Sequence, residues 1–183
     1  MPNYRLLAIS GSLRKGSINT MLAHAFAANA PAGTEIEMLD WSEVPIFNQD
    51  DEKDFPILVT QLKEKIHAAD GIIIVTPEYN RSVPGALKNM LDWTSRPYGN
   101  SAWAGKAVYI AGATMGSVGT ALAQDDIKKF MHFNNAFIMG QPEFYMTNAP
   151  GKFDESGVLA DEDTKQHIIK GLGVFTAFID KVR

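Results

Sequence analysis

Cysteine is missing from the 183-residue chain, which excludes disulfides, thiol nucleophiles, cysteine-ligated zinc and iron–sulfur clusters together. That absence is compatible with a cytoplasmic setting. No apolar run approaches the roughly 20 residues needed to span a bilayer. The stretch Leu6 to Ile9 is too short for the apolar core of a signal peptide and runs into polar Ser-Gly-Ser. A strong charge of either sign is also lacking. Lys and Arg total 17 against 21 Asp and Glu, net -4, so neither nucleic acid nor an anionic membrane is an expected partner. The histidines His24, His67, His132 and His167 have no metal-ligand spacing, and no metal site is expected. Repeats, low-complexity tracts and long linkers do not occur. The remaining composition, 45% hydrophobic and 21% charged, suits one domain over 1–183 with a core of its own.

Strand and helix patterns alternate along the chain. Leu6 to Ile9 reads as a buried strand, and Ile18, Met21, Leu22, Ala25 and Phe26 then recur at helical spacing. Thr34 to Leu39 alternates polar and apolar residues, as an exposed edge strand does. A helix after Pro56 carries Leu58, Leu62, Ile66 and Ala69. Ile72 to Val75 is a β-branched run, the strongest central-strand signal in the chain. Pro84 suits the first position of a helix continued by Leu87, Met90 and Leu91. A fourth strand over Ala107 to Gly112 precedes a helix through Leu122, Ile127, Phe130 and Met131. A short fifth strand, Ala136 to Met139, precedes a last helix bearing Ile168, Leu172, Phe175, Ile179 and Val182. Five strands, each followed by a helix, predict an α/β fold with a doubly wound parallel sheet covered on both faces. The alternating second strand belongs at an edge and the apolar first and third inside, which gives the order 2-1-3-4-5. Ligands of such a sheet bind beyond the carboxyl ends of its strands, where the winding reverses.

The loop after the first strand reads Gly11-Ser-Leu-Arg-Lys-Gly-Ser-Ile-Asn19. It enters a helix N-terminus, where unpaired N–H groups and the helix dipole favour an anion. Ser12, Ser17 and Asn19 add side-chain donors and Arg14 a charged fork, so the loop can cradle one phosphate. A capped helix start with a solvated Arg14 is the plain alternative. The phosphate loop of nucleotide hydrolases does not fit, because Lys15 precedes Gly16 instead of following it; Gly-x-Gly-x-x-Gly is absent. The loop after the third strand, Thr76-Pro-Glu-Tyr-Asn-Arg-Ser-Val-Pro-Gly85, is stiffened by two prolines. Its backbone can read the edge of a flat heterocycle and Tyr79 can form a wall; a turn followed by a helix start is again the alternative. Glu78 has no histidine or second carboxylate placed to make an acid–base pair with it and reads as structural.

A phosphate loop and a ring loop at one end of a sheet describe a pocket for flavin mononucleotide (FMN). Gly11 to Asn19, Thr76 to Asn80, Ser82-Val-Pro-Gly85 and Leu87-Lys-Asn-Met-Leu-Asp-Trp93 together resemble the NAD(P)H-dependent FMN reductase family. They are most similar to its quinone/chromate reductase and azoreductase members, and the likeness weakens after about Thr147. The resemblance implies a flavodoxin-like fold with FMN as cofactor and NADPH or NADH as co-substrate. It implies a small-molecule electron acceptor and a homodimer or homotetramer. It places the FMN phosphate at Ser12, Arg14, Ser17, Ile18 and Asn19. The isoalloxazine falls to Pro77, Glu78, Tyr79 and Asn80, with Ser82 nearby and Thr114, Met115, Gly116 and Ser117 in the loop after strand four. Arg81 is a candidate contact for substrate or for the nicotinamide nucleotide's phosphates.

The flavin would carry the hydride, so no catalytic side chain is expected. A flavodoxin-type electron carrier without direct NAD(P)H oxidation is the rival reading, although such carriers are usually more acidic than this chain. A phosphate-binding module without redox chemistry is a second rival. Asp50-Asp51-Glu52 reads as a solvated acidic turn. Trp93, Tyr98 and Trp103 are expected to pack at a surface around a helix end.

Overall fold

The computed structural model describes residues 3–183. Among them the sheet has six parallel strands: β1 (Tyr4–Ser10), β2 (Thr34–Met38), β3 (Gly71–Val75), β4 (Ala107–Ala113), β5 (Phe137–Ile138) and β6 (Phe144–Met146). Their order is β2-β1-β3-β4-β5, with β6 also paired to β4. The helices are α1 (Ile18–Ala28), α2 (Ile57–Ala68), α3 (Gly85–Thr94), α4 (Ala121–Phe133) and α5 (Glu162–Val182). The expected strand order is observed, with one correction. The fifth position is shared by two short segments, β5 pairing with the beginning of β4 and β6 with its end. The expected strand over Ala136 to Met139 is only two residues of ladder.

The strands sort their side chains by parity, because successive residues point to opposite faces. Leu6, Ala8, Ile73, Val75 and Tyr109 pack with Leu22 and Phe26 of α1 and with Ile168, Leu172, Phe175 and Ile179 of α5. Leu7, Ile9, Ile72, Ile74 and Val108 pack on the other face with Leu62 and Ile66 of α2, Leu87 and Met90 of α3, and Ile127 and Met131 of α4. Each fully buried aliphatic side chain stabilises the fold by roughly 1.5–3 kcal/mol, so both faces anchor the loops at the strand ends.

Three further expectations need correction. Trp93 and Trp103 are wholly buried, while Tyr98 between them is exposed. The segment after α3 folds back over the sheet, and each indole N–H finds an acceptor inside, Trp93 at the Pro45 carbonyl (2.9 Å) and Trp103 at Thr94 Oγ1 (2.9 Å). Lys63 Nζ props the same segment by donating to the carbonyls of Arg96 and Asn100. The acidic stretch near Asp50 is a 3-10 turn over Gln49–Lys53, and Glu52 lies 3.4 Å from the Arg96 guanidinium instead of facing water alone. Pro84 stands at the N-cap of α3, one position before the helix proper.

Candidate functional site

Three loops leave the carboxyl ends of β1, β3 and β4 side by side. The Gly11 N–H donates to the Val75 carbonyl at 2.7 Å, and Thr76 N–H to the Ala111 carbonyl at 2.9 Å. The backbones approach so closely that a Cβ at Gly112 would run into Thr120 Oγ1 and the Thr76 carbonyl. Gly112 therefore lets β4 pass between the two neighbouring loops.

The loop after β1 is built around a helix cap. Ser17 is the N-cap of α1, extended at φ -69° and ψ 128°, and its hydroxyl accepts from the Asn19 N–H. Ser12 Oγ accepts from the Arg14 N–H at 3.3 Å. Ser12 and Ser17 are both buried, whereas Leu13 to Gly16 are exposed. The N–H groups of Lys15, Gly16 and Ile18 have no protein acceptor among the described residues. Arg14 folds over this edge and donates from Nη2 to the Gly16 carbonyl at 2.8 Å. Unpaired amides, two serine hydroxyls and a guanidinium at a helix N-terminus form a donor set for a phosphate, and they fit the phosphate end of FMN.

Asn19, expected among the phosphate ligands, has a different task. The residue is 2% exposed, and its side-chain amide pairs at both ends with the backbone of Ala113. Nδ2 donates to the Ala113 carbonyl at 2.9 Å, and Oδ1 accepts the Ala113 N–H at 2.8 Å. It joins the start of α1 to the end of β4. The sequence reading also missed Ser10 and Thr20, whose hydroxyls share a hydrogen bond of 2.8 Å beneath the loop, and Trp41, whose indole donates to the Ser10 carbonyl at 3.0 Å. No local pattern announces these partners, which come from elsewhere in the chain.

The loop after β3 is self-contained. Tyr79 and Ser82 exchange backbone hydrogen bonds of 3.1 and 3.0 Å across Asn80 and Arg81, at φ 52° and 64°. That left-handed pair closes a tight turn of the type that favours Asn-Gly, and Arg81 occupies the second position. Pro77 and the Glu78 side chain are buried or nearly so, and Tyr79, Asn80 and Arg81 are exposed. Ser82 Oγ donates to Asp126 Oδ2 at 2.6 Å, which holds the Asp126 carboxyl below the usual carboxylate range.

The loop after β4 is held from below. Thr114 N–H donates to the Met146 carbonyl at 2.9 Å, and the Ala149 N–H to the Thr114 carbonyl at 3.1 Å. Thr114 Oγ1 accepts the Gly116 N–H at 3.4 Å. Met115 is 72% exposed, and Gly116 and Ser117 are also exposed. A Cβ on Gly116 would meet nothing within 4 Å, so this stretch opens outward. Beyond the loop after β3 a groove of about 1140 Å³ runs between α3 and α4 from Ser82 and Asp126 to Tyr98 and Phe133.

Known proteins similar to this chain in sequence and in shape agree with one another. Residues 4–151 match the model of the family described as NADPH-dependent FMN reductase. The chain is 39% identical to the 2-hydroxy-1,4-benzoquinone reductase of a Burkholderia species, over 96% of each chain. It is also 39% identical to the quinone reductase of Escherichia coli strain K12, over 98% of this chain and 97% of that one. FerB, the flavoenzyme NAD(P)H:(acceptor) oxidoreductase of Paracoccus denitrificans, superposes with a TM-score of 0.90 at 34% identity, covering 97% of this chain and 98% of its own. Its parallel flavodoxin-like sheet, its donor-lined loop and these relatives agree: the chain belongs to the NADPH-dependent FMN reductase family.

Proposed function

We propose that this protein is an NAD(P)H-dependent oxidoreductase that holds FMN at the carboxyl end of its sheet and reduces a small acceptor of the quinone class. The observation that carries this reading is the set of unpaired N–H groups at Lys15, Gly16 and Ile18, roofed by Arg14 beside the ring loop. The acceptor class follows the relatives, which are a 2-hydroxy-1,4-benzoquinone reductase and a quinone reductase. We take 1–183 as one FMN-binding domain, supported by the two core clusters that span the same sheet.

When bound, FMN would supply two-electron redox chemistry between a nicotinamide donor and a small acceptor. The chain's own work is binding and orientation. Ser12, Ser17, Arg14 and the amides through Ile18 hold the phosphate and fix the depth of the cofactor. Pro77, Glu78, Tyr79 and Asn80 line one side of the ring, largely through a backbone whose shape is set by its own turn, and Ser82 anchors that turn. Thr114, Met115, Gly116 and Ser117 approach from the β4 side. Arg81, exposed at the rim, is placed to meet an anionic part of a substrate. No side chain in this arrangement is an acid or base for hydride transfer.

A homodimer or homotetramer is part of the same reading, supported by Phe133 and Tyr98, 75% and 84% exposed beside the groove between α3 and α4. Among the described residues no helix is long and apolar enough to cross a membrane. A cytoplasmic location is part of the same reading, supported by the nicotinamide co-substrate that the proposed reaction uses. The test is an absorption spectrum of the purified protein followed by anaerobic NADPH and NADH additions. Yellow protein that bleaches rapidly with either nucleotide is the expected result. Yellow protein that keeps its colour is an electron carrier, and colourless protein that ignores added FMN overturns the reading.

A further inference from the structure

Helix α4 starts without a cap of its own. Thr120 stands at its N-cap but makes no side-chain hydrogen bond to the first turn, which also lacks an acidic residue. The Thr120 hydroxyl accepts from Gln124 Nε2 at 3.0 Å instead. The missing cap is supplied across space by Glu78. Its Oε2 accepts the N–H of Leu122 at 3.0 Å and of Ala123 at 3.2 Å. The Glu78 side chain is only 9% exposed, and its Oε1 lies 3.5 Å from Arg81 Nη1. A carboxylate so placed is favoured by the helix dipole and satisfied by two backbone donors, so it is committed to α4.

This arrangement links the two ring-side loops. Glu78 belongs to the loop after β3, whereas Leu122 and Ala123 open the helix into which the loop after β4 runs. Ser82 and Asp126 repeat the connection one helical turn further on, at 2.6 Å. A cap needed only for helix stability could be provided by Thr120 itself. Taking it from the neighbouring loop makes the separation of the two loops part of the helix's own energy.

We propose that Glu78 is a positioning residue for the flavin ring: its carboxylate holds the loop after β3 against the start of α4, and so sets the slot between the β3 and β4 loops. The inference rests on the FMN reading above. It predicts that the clamp acts on the ring and not on the phosphate, so FMN and riboflavin depend on it equally.

The test is a fluorescence titration of the full chain, stripped of flavin, with FMN and with riboflavin, together with the absorption spectrum of the bound flavin. Glu78→Ala is expected to weaken both flavins by about tenfold, the scale of a lost helix cap, and to shift the visible bands. Glu78→Gln keeps an amide oxygen that can accept from the same N–H groups and is expected to recover most of that loss. Arg14→Ala, at the phosphate loop, is expected to weaken FMN far more than riboflavin. If Glu78→Ala does not fold, Glu78→Asp, one methylene too short to reach, is expected to show the same parallel loss. A variant that melts earlier but binds both flavins with wild-type affinity and spectrum makes Glu78 a plain helix cap and overturns the proposal. Such a result leaves the FMN reading standing as long as the wild type still binds FMN. A wild type that binds neither flavin overturns both.

Discussion

The loops after β1 and β3 lie side by side, yet they treat their polar groups in opposite ways. The loop after β1 leaves amides at Lys15, Gly16 and Ile18 without protein partners and puts its flexible cation, Arg14, over them. The loop after β3 closes its backbone on itself between Tyr79 and Ser82 and fastens its side chains to α4 through Glu78 and Ser82. Open donors suit a small, strongly charged group that brings its own acceptors. A closed, braced turn suits a large flat group, which needs shape more than hydrogen bonds. Under the FMN reading proposed above, the phosphate would go to the first loop and the ring to the second.

The largest effect should come from removing the backbone crossing that keeps the regions adjacent. Gly112→Ala would push on Thr120 and on the Thr76 carbonyl, and should cost stability at the upper end of the ~1–3 kcal/mol range for overpacking, read from urea unfolding. Next come two changes in the β1 loop with opposite readouts. Arg14→Ala should weaken FMN binding by about 1.5–3 kcal/mol and leave the stability of the flavin-free chain unchanged. Asn19→Ala strands the buried N–H and carbonyl of Ala113, and should lower that stability by about 1–3 kcal/mol. Calorimetry and unfolding curves on the same samples separate the two.

The braced loop has a pH signature. The hydrogen bond from Ser82 holds the Asp126 carboxyl below its ordinary value, so the folded state favours the ionised form. The stability this brings is fully present above the pKa that Asp126 has when unfolded, and is lost as pH falls through the lowered folded value. Asp126→Asn and Ser82→Ala should each flatten that acid-side slope, measured as unfolding free energy against pH. The smallest effect is expected at Arg81, held at φ 64°, where glycine fits without strain. Arg81→Gly should change stability by no more than about 1 kcal/mol, in the stabilising direction.

The order of the sheet was legible because burial leaves a pattern. β2 alternates and has a neighbour on one side only, while β1 and β3 are apolar and paired on both. The two candidate loops were legible from their positions at the strand ends and from their residue types. Long-range partners were not. β6 is three residues after a polar turn, too short for a periodic signal, and only the free edge at the end of β4 makes it a strand. Trp93 and Trp103 read as surface residues because the segment that buries them is loop. Asn19 read as a ligand donor because nothing local reveals that Ala113, on a distant strand, needs both ends of its amide. The cap that Glu78 gives α4 spans 44 residues and was equally invisible, although its structural role was anticipated.

The most direct measurement is the affinity of the flavin-free protein for FMN and for riboflavin under the same conditions. The amides and side chains between Ser12 and Ile18 predict that FMN binds at least about a hundredfold more tightly, the worth of two hydrogen bonds to a charged phosphate. Equal affinity for the two flavins would contradict the account, because the loop after β1 would then contribute nothing to holding the cofactor.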